Sequence, residues 1–343
     1  MRTGDRLCSA ALVLFVIACG GQRALADQGG VSFWLPGAFG SLAATPAQPG
    51  WSLGTIYLHS SVSGSGNVAA SRAIRFGNQT TNLSVNLNAN LAAQVDVIAL
   101  SPAYTFQSPI LGGQLTVSML LIAGNQHASI DANVTGALGP IGFAASRSVS
   151  DSLFSYGDLF PQATLKWNNG VHNFMVYGMA NLPVGDYDPS RIVNLGLGHW
   201  SVDGGAGYTY FNPQTGHEFS IVTGLTYNFT NPHLSYQNGV DWHLDWGLSQ
   251  FISKQVHVGA VGYFYQQLTA DSGSGATLGA FKSSVAGIGP QIGYLFPAGD
   301  MQGYLNLKGY YEYEAENRPR GWNLWLTLAV SPAATQPSRP GRH

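Results

Sequence analysis

Between Val240 and Leu248 the chain reads VDWHLDWGL, and its residues alternate without a break. Val240, Trp242, Leu244, Trp246 and Leu248 fall on one side, while Asp241, His243, Asp245 and Gly247 fall on the other. On a helix these residues would be spread around the axis, whereas a period of two sorts them onto the two faces of a strand. A strand with tryptophan on one face and carboxylates on the other separates an apolar medium from a polar one.

The same alternation recurs in twelve segments, near 51–62, 90–106, 113–124, 157–168, 171–183, 200–211, 217–229, 240–252, 255–268, 282–296, 302–314 and 320–331. Their connections alternate in length. QSPILGG, NNG, NPQTG, SKQ and PAGD are short, and stretches such as 63–89, 125–156, 184–199, 230–239 and 269–281 are long. An even number of strands, with short turns at one end and long loops at the other, predicts an all-β antiparallel transmembrane barrel of the outer-membrane type over residues 51–331. Trp200, Tyr208, Tyr227, Phe229, Tyr294 and Phe296 lie near strand ends, where aromatic girdles are expected.

Composition agrees with a barrel. Charged residues make up 9% of the chain, against about 25% in ordinary soluble domains. Apolar residues reach 45%, yet past the N-terminus none form the run of about 18 that a spanning helix requires. Arg2 and Arg6 precede an apolar stretch from Leu7 to Cys19, and Ala24-Leu25-Ala26 fits a cleavage site, so residues 1–26 read as an export signal. VIAC, ending at Cys19, also resembles a lipoprotein box, and the alternative of lipidation there stays open.

Cleavage would remove Arg2, Arg6, Arg23 and Asp5, shifting the formal charge from −2 to −4. That mild acidity argues against a nucleic-acid partner. It would also remove Cys8 and Cys19, leaving neither a disulfide framework nor a thiol nucleophile.

Interior chemistry follows from the alternation. A charged side chain facing lipid near the midplane costs up to about 2–4 kcal/mol, so Asp241, His243 and Asp245 are expected to face the lumen. Same-face neighbours on one strand stand about 6.5–7 Å apart, too far for a tight three-ligand metal site. They are expected to line the pore or contact a ligand, or else to face lumen water and pair with interior cations. Lys308 with Glu312 and Glu314, and Asp158 with Gln162, Thr164 and Lys166, form further inward rows. No metal site or cofactor is expected, because the nine histidines are scattered singly.

DSGSG at 271–275 has no following Lys-Ser/Thr and reads as a loop, and HEF at His217 does not continue into a zinc motif. No nucleophile elbow is found. Residues 27–50 contain the apolar, Gly- and Pro-rich VSFWLPGAFGSLAATPAQPG, and Phe33, Trp34, Leu35 and Phe39 make it a candidate lumen plug. Residues 332–343 read as a disordered tail.

The run SYQNGVDWHLDWGLSQFISKQVHVGAVGYFYQQLTADSGSGATLGAFKSSVAGIGPQIGYLF resembles bacterial proteins grouped as "putative meta-pathway of phenol degradation" outer-membrane proteins. So do NLPVGDYDPSRIVNLGLGHWSVDGGAGYTYFN, EAENRPRGWNLWLTLAV and the opening SFWLPGAFGSLAA. The resemblance implies a channel in the outer membrane of a Gram-negative bacterium for passive uptake of small hydrophobic or aromatic compounds. The implied partners are outer-membrane lipid, lipopolysaccharide, those solutes and the barrel-assembly machinery. The last strand ends in LAVS rather than on a terminal aromatic, a departure from many such barrels. A structural or surface-interaction barrel, or an outer-membrane lipid hydrolase, remains the alternative.

Overall fold

A computed structural model describes residues 33–76, 79–138, 141–276 and 282–333. The expected export signal at 1–26, residues 27–32 of the plug candidate, and 334–343 of the expected tail lie outside the described residues. Twelve strands run in chain order: β1 (Gly50–Phe76), β2 (Gln79–Thr105), β3 (Gln114–Leu138), β4 (Ile141–Asn169), β5 (His172–Asn181) and β6 (Ser201–Phe211). Then follow β7 (His217–Asn228), β8 (Asp241–Phe251), β9 (Val256–Gln267), β10 (Ser284–Ala298), β11 (Met301–Glu316) and β12 (Arg320–Pro332). Each pairs antiparallel with its chain neighbour, and β1 pairs with β12, so the sheet closes into the barrel that the alternation predicts.

Closure leaves no edge along the ring, and the two faces differ as expected. On β8, Asp241, His243 and Asp245 are at most 1% exposed, while Leu248 is 49% exposed on the outer surface. Ile98, Leu100, Val202, Leu225, Ile292, Leu305 and Leu326 are likewise exposed on the outside, where aliphatic side chains suit lipid.

Two stretches expected as loops are strand instead. Residues 63–76 and 79–89 extend β1 and β2, and 125–138 and 141–156 extend β3 and β4. Pairing of β1 with β12 stops at Ser63 and Arg320, but β1 and β2 remain paired up to Phe76 and Gln79. β4 pairs with β5 only from Gln162 to Asn169, while its pairing with β3 continues to Ile141. The four strands therefore rise together beyond the ring as a sheet. The thirteen residues of β1 above Ser63 span about 40 Å.

The polarity of the sheet inverts along this extension. Lower on β3, Val117 and Leu121 are the exposed outward residues. Higher up, the outward row is Asn125, His127, Asp131, Asn133 and Thr135, and the more covered inward row is Ala128, Ile130, Ala132 and Val134. β2 does the same, with outward Ile98 and Leu100 giving way to Asn90 and Asn88, and Leu91 and Ala89 turned inward. A strand leaving lipid for water must exchange its outward apolar row for a polar one, and these two do so at Asp96 and Asn125, which pair with each other.

Candidate functional site

Residues 33–49 run through the inside of the barrel. Reading back from Gly50 at the short-turn end, Lys166 Nζ on β4 donates to Ala43 O (2.7 Å) and Thr45 O (3.2 Å). The amide of Ala44 donates to Thr209 Oγ1 on β6 (3.0 Å), and that of Leu42 to Glu218 Oε1 on β7 (2.9 Å). Ser41 Oγ lies 2.7 Å from Ser249 Oγ on β8 and accepts from Gln291 Nε2 on β10 at 2.7 Å. Five strands, β4, β6, β7, β8 and β10, thus contribute an inward polar side chain to one peptide segment.

The densest contact lies further in. Asp245 accepts the amides of Gly37 through Oδ1 (3.0 Å) and Phe39 through Oδ2 (2.9 Å). Lys308 Nζ on β11 donates to Gly37 O (2.7 Å), Ala38 O (3.3 Å) and Phe39 O (3.4 Å). Gly37 adopts φ 89° in this turn, and a Cβ there would stand 2.9 Å from the Tyr310 ring, so both backbone and space favour glycine.

Trp34 comes next, 3% exposed and stacked on His243 with ring centroids 3.6 Å apart and planes at 11°. His243 Nε2 donates to Asp203 Oδ2 on β6 at 2.9 Å, and Thr226 Oγ1 donates to the same oxygen at 2.5 Å. The Tyr177 hydroxyl on β5 lies 3.3 Å from His243 Nε2. Phe39 stacks on Trp34 at 5.7 Å, and Phe33 packs on Phe160 at 5.7 Å beside Leu197 of the loop after β5. Trp34, Leu35 and Phe39 join Leu58, Val97, Tyr263, Tyr265, Tyr310 and Trp325 in one interior cluster. This lumen is aromatic and apolar around a frame of hydrogen bonds.

The residues singled out in the sequence divide among several tasks. Asp241 accepts from Asn228 Nδ2 at 2.9 Å, Asp245 holds the segment, and His243 meets Asp203 and Trp34. Lys308 holds the segment's carbonyls and is not bonded to Glu312, so the inward charges of β11 do not form a ladder. Glu312 accepts from Tyr263 OH (2.9 Å) and the Gly321 amide (2.7 Å). Asp158 is turned to the long-loop end, where it accepts the amides of Gly185 and Leu197, both at 2.8 Å, and ties down the loop between β5 and β6.

Asp203, Thr209, Glu218, Ser249 and Gln291 were not among the expected site residues. The available signal was a polar residue at inward parity within an alternating strand. Asp203 shows that signal most clearly, as the one charged side chain in the inward row Ser201, Asp203, Gly205, Gly207 and Thr209 of β6. Ser249 and His257 also meet, Oγ to Nδ1 at 3.1 Å, but Ser249 is shared with Ser41 and Gln291, and His257 Nε2 lies 3.0 Å from Tyr304 OH. Among the described residues, no cluster of three or more metal-ligating side chains occurs.

Comparison with known proteins adds the family. A crystal structure of an outer membrane channel from Pseudomonas putida F1 superposes with a TM-score of 0.60 at 16% identity, covering 87% of this chain and 99% of that one. This similarity is one of fold. The translocator domain of the autotransporter NalP from Neisseria meningitidis aligns over 85% of this chain and 91% of its own, at 11% identity and a TM-score of 0.29, too low to carry an argument. No curated protein matches. Residues 73–328 match the family described as "Putative MetA-pathway of phenol degradation", and the chain belongs to that family.

Proposed function

We propose that this chain is an outer-membrane channel for the passive uptake of small hydrophobic or aromatic compounds. Residues 33–49 act as the plug that narrows the route. The observation that carries the reading is the interior itself. Tyr177, Tyr263, Tyr265, Tyr310, Trp325, Leu58 and Val97 form a continuous apolar cluster with Trp34 and Phe39 where a general porin would hold water. The apolar inward row of the raised β1–β4 sheet, with Leu91, Ile130 and Val134, extends such a surface outward above the membrane. A solute would follow this face, pass the plug by local displacement, and leave down its gradient.

An enzymatic reading has less support. The Ser249–His257 pair is buried against the plug, with Ser249 8% and His257 0% exposed, so substrate has no access to it. A surface-interaction barrel is the second reading, favoured by the raised four-stranded sheet.

The test is uptake of labelled toluene at low external concentration by Gram-negative cells with intact lipopolysaccharide, comparing deletion and complemented strains, with an oligosaccharide as control. Restoration of toluene uptake without oligosaccharide uptake is expected. Equal toluene uptake in all strains, with the barrel present in the membrane, removes the reading and advances the surface-interaction one.

A further inference from the structure

β4 leaves the ring with one side open. Above Gln162 it no longer pairs with β5, apart from one bridge between Leu159 and Leu182, while its pairing with β3 continues to Ile141. The loop between β5 and β6 reaches this open side and stops there. The amide of Asp186 donates to Tyr156 O (2.9 Å), and that of Ile192 donates to Asp151 Oδ2 (3.3 Å). From Gly142 to Ser150 the backbone has no partner on that side among the described residues.

Exposure follows the pairing. On β3, held between two neighbours, Ala128 is buried and Ile130, Ala132 and Val134 are half-buried. On β4, Ala145, Arg147 and Val149 of the same inward face are exposed, as are Ser146, Ser148 and Ser150 of the other. An antiparallel strand turns the N–H and C=O of every second residue to each side. The stretch from Gly142 to Phe154 therefore presents a row of backbone donors and acceptors about 40 Å long.

Strands left open to water are ordinarily blunted by Lys or Pro, because a bare edge recruits another strand. Ile141–Phe154 reads IGFAASRSVSDSLF and contains neither. Its two charges, Arg147 and Asp151, lie on the inward face, and Asp151 is taken by the Ile192 amide. Arg147 has no ion-pair partner among the described residues.

Such a row is satisfied by an extended backbone, and a second β4 does not supply it. Two β4 strands paired antiparallel are related by a twofold axis normal to the sheet, which would invert one barrel against the other in the membrane. Pairing them in parallel, about an axis along the strands, would set the apolar face of one sheet beside the polar face of the other.

We propose that the open edge of β4 takes up an extended segment of another protein by strand addition. The segment that fits alternates apolar and polar residues and carries a carboxylate on its apolar face, opposite Arg147. The long-loop end of an outer-membrane barrel faces outward, so this partner is met outside the cell. The inference stands apart from the channel reading, since it needs no solute to cross, and either can fail alone.

The probe is a fluorescent synthetic peptide of residues 126–138, QHASIDANVTGAL, the stretch of β3 that already lies along β4. It is used unchanged, with Ala132→Asp, and with Ala132→Asp plus N-methylation from Ser129 to Val134. Anisotropy titration of the full barrel in detergent reads binding, and hydrogen exchange reads the amides of 142–154. Wild type, Arg147→Gln and Ser150→Lys are compared, with heat-modifiable gel mobility confirming that each is folded. The Ala132→Asp peptide should bind saturably, at least tenfold tighter than the unchanged one, and slow exchange at every second amide of the edge. Arg147→Gln should erase that preference, Ser150→Lys should weaken both peptides at least tenfold, and N-methylation should abolish binding. Absence of saturable binding by either peptide overturns the inference. So does an N-methylated peptide that binds as tightly as its parent, or exchange at 142–154 that binding leaves unchanged. A barrel already dimeric in detergent, with these amides protected before peptide is added, also overturns it and assigns the edge to a second copy.

Discussion

Asp245 and Lys308 bracket the same three residues without pairing with each other. The carboxylate takes the amides of Gly37 and Phe39, and the ammonium takes the carbonyls of Gly37, Ala38 and Phe39. Two charges inside a barrel are thus satisfied by the backbone of a segment that belongs to no strand. Hydrogen bonds to charged groups contribute about 1.5–3 kcal/mol each, so this pair is expected to be the main anchor of the plug.

Asp245→Asn keeps the shape but removes the charge and one acceptor oxygen. It should loosen the plug by about 1.5–3 kcal/mol while leaving the barrel closed. The check is hydrogen exchange at Gly37 and Phe39, which should speed up while exchange in β8 stays slow. Unchanged exchange at both amides would mean that the anchor lies elsewhere.

Gly224 on β7 makes room for Tyr177. A Cβ there would stand 2.2 Å from the Tyr177 hydroxyl and 2.9 Å from His243 Cε1. Gly224→Ala should therefore cost about 1–3 kcal/mol, as overpacking does, seen as a lower unfolding temperature. Adding Tyr177→Phe removes the closest atom and should recover part of that loss. Additive losses would show that the two residues do not clash.

His199 stands in the connection before β6, 4% exposed, and burial holds its imidazole below the ordinary 6.5. Its Nδ1 donates to Trp200 O at 2.9 Å, and its carbonyl accepts from Asn181 Nδ2 at 2.6 Å. With the folded value depressed, the unfolded loop binds the proton more readily. The loop keeps its full stability above pH 6.5 and loses it as pH falls toward the folded value. Proteolysis within 182–200 should rise between pH 7 and pH 5 in the wild type and change less in His199→Gln. Equal pH dependence in both would assign the effect to another group.

Shortening the raised sheet, by joining Gly64 to Leu91 and Gln126 to Leu153 through tight turns, should leave the barrel folded. Each new turn joins residues already paired in register, and the pairings that close the ring lie below them. Heat-modifiable mobility should be retained while uptake of apolar solutes falls. Loss of the folded band would show that the extension stabilises the ring itself.

The barrel was legible because a wall between lipid and an interior imposes the same two-residue pattern on every strand, and Val240–Leu248 shows it most sharply. The raised sheet was not, because Asn, Ser and Thr replace the outward apolar row and make 79–89 and 125–138 look like polar loops. The alternation is present there with its faces exchanged, Ala89 and Leu91 against Asn88 and Asn90. Within the site, the facing of Asp241, His243 and Asp245 could be read from parity alone. Their partners could not. Asp203 and Asn228 lie on other strands, and Gly37 lies 208 residues from Asp245, so only the ring closure brings them together.

The most direct test of the account locks the plug in place. Ser41 and Ser249 have hydroxyl oxygens 2.7 Å apart, a spacing suited to a disulfide after Ser41→Cys and Ser249→Cys, and the natural cysteines are Cys8 and Cys19, within the expected export signal. Labelled toluene uptake is then measured in cells carrying this pair, oxidised and after treatment with a reductant. Uptake near the deletion level is expected when the pair is oxidised, returning to the wild-type rate on reduction. Wild-type uptake with the disulfide formed would contradict it, because the solute would then cross without displacing residues 33–49.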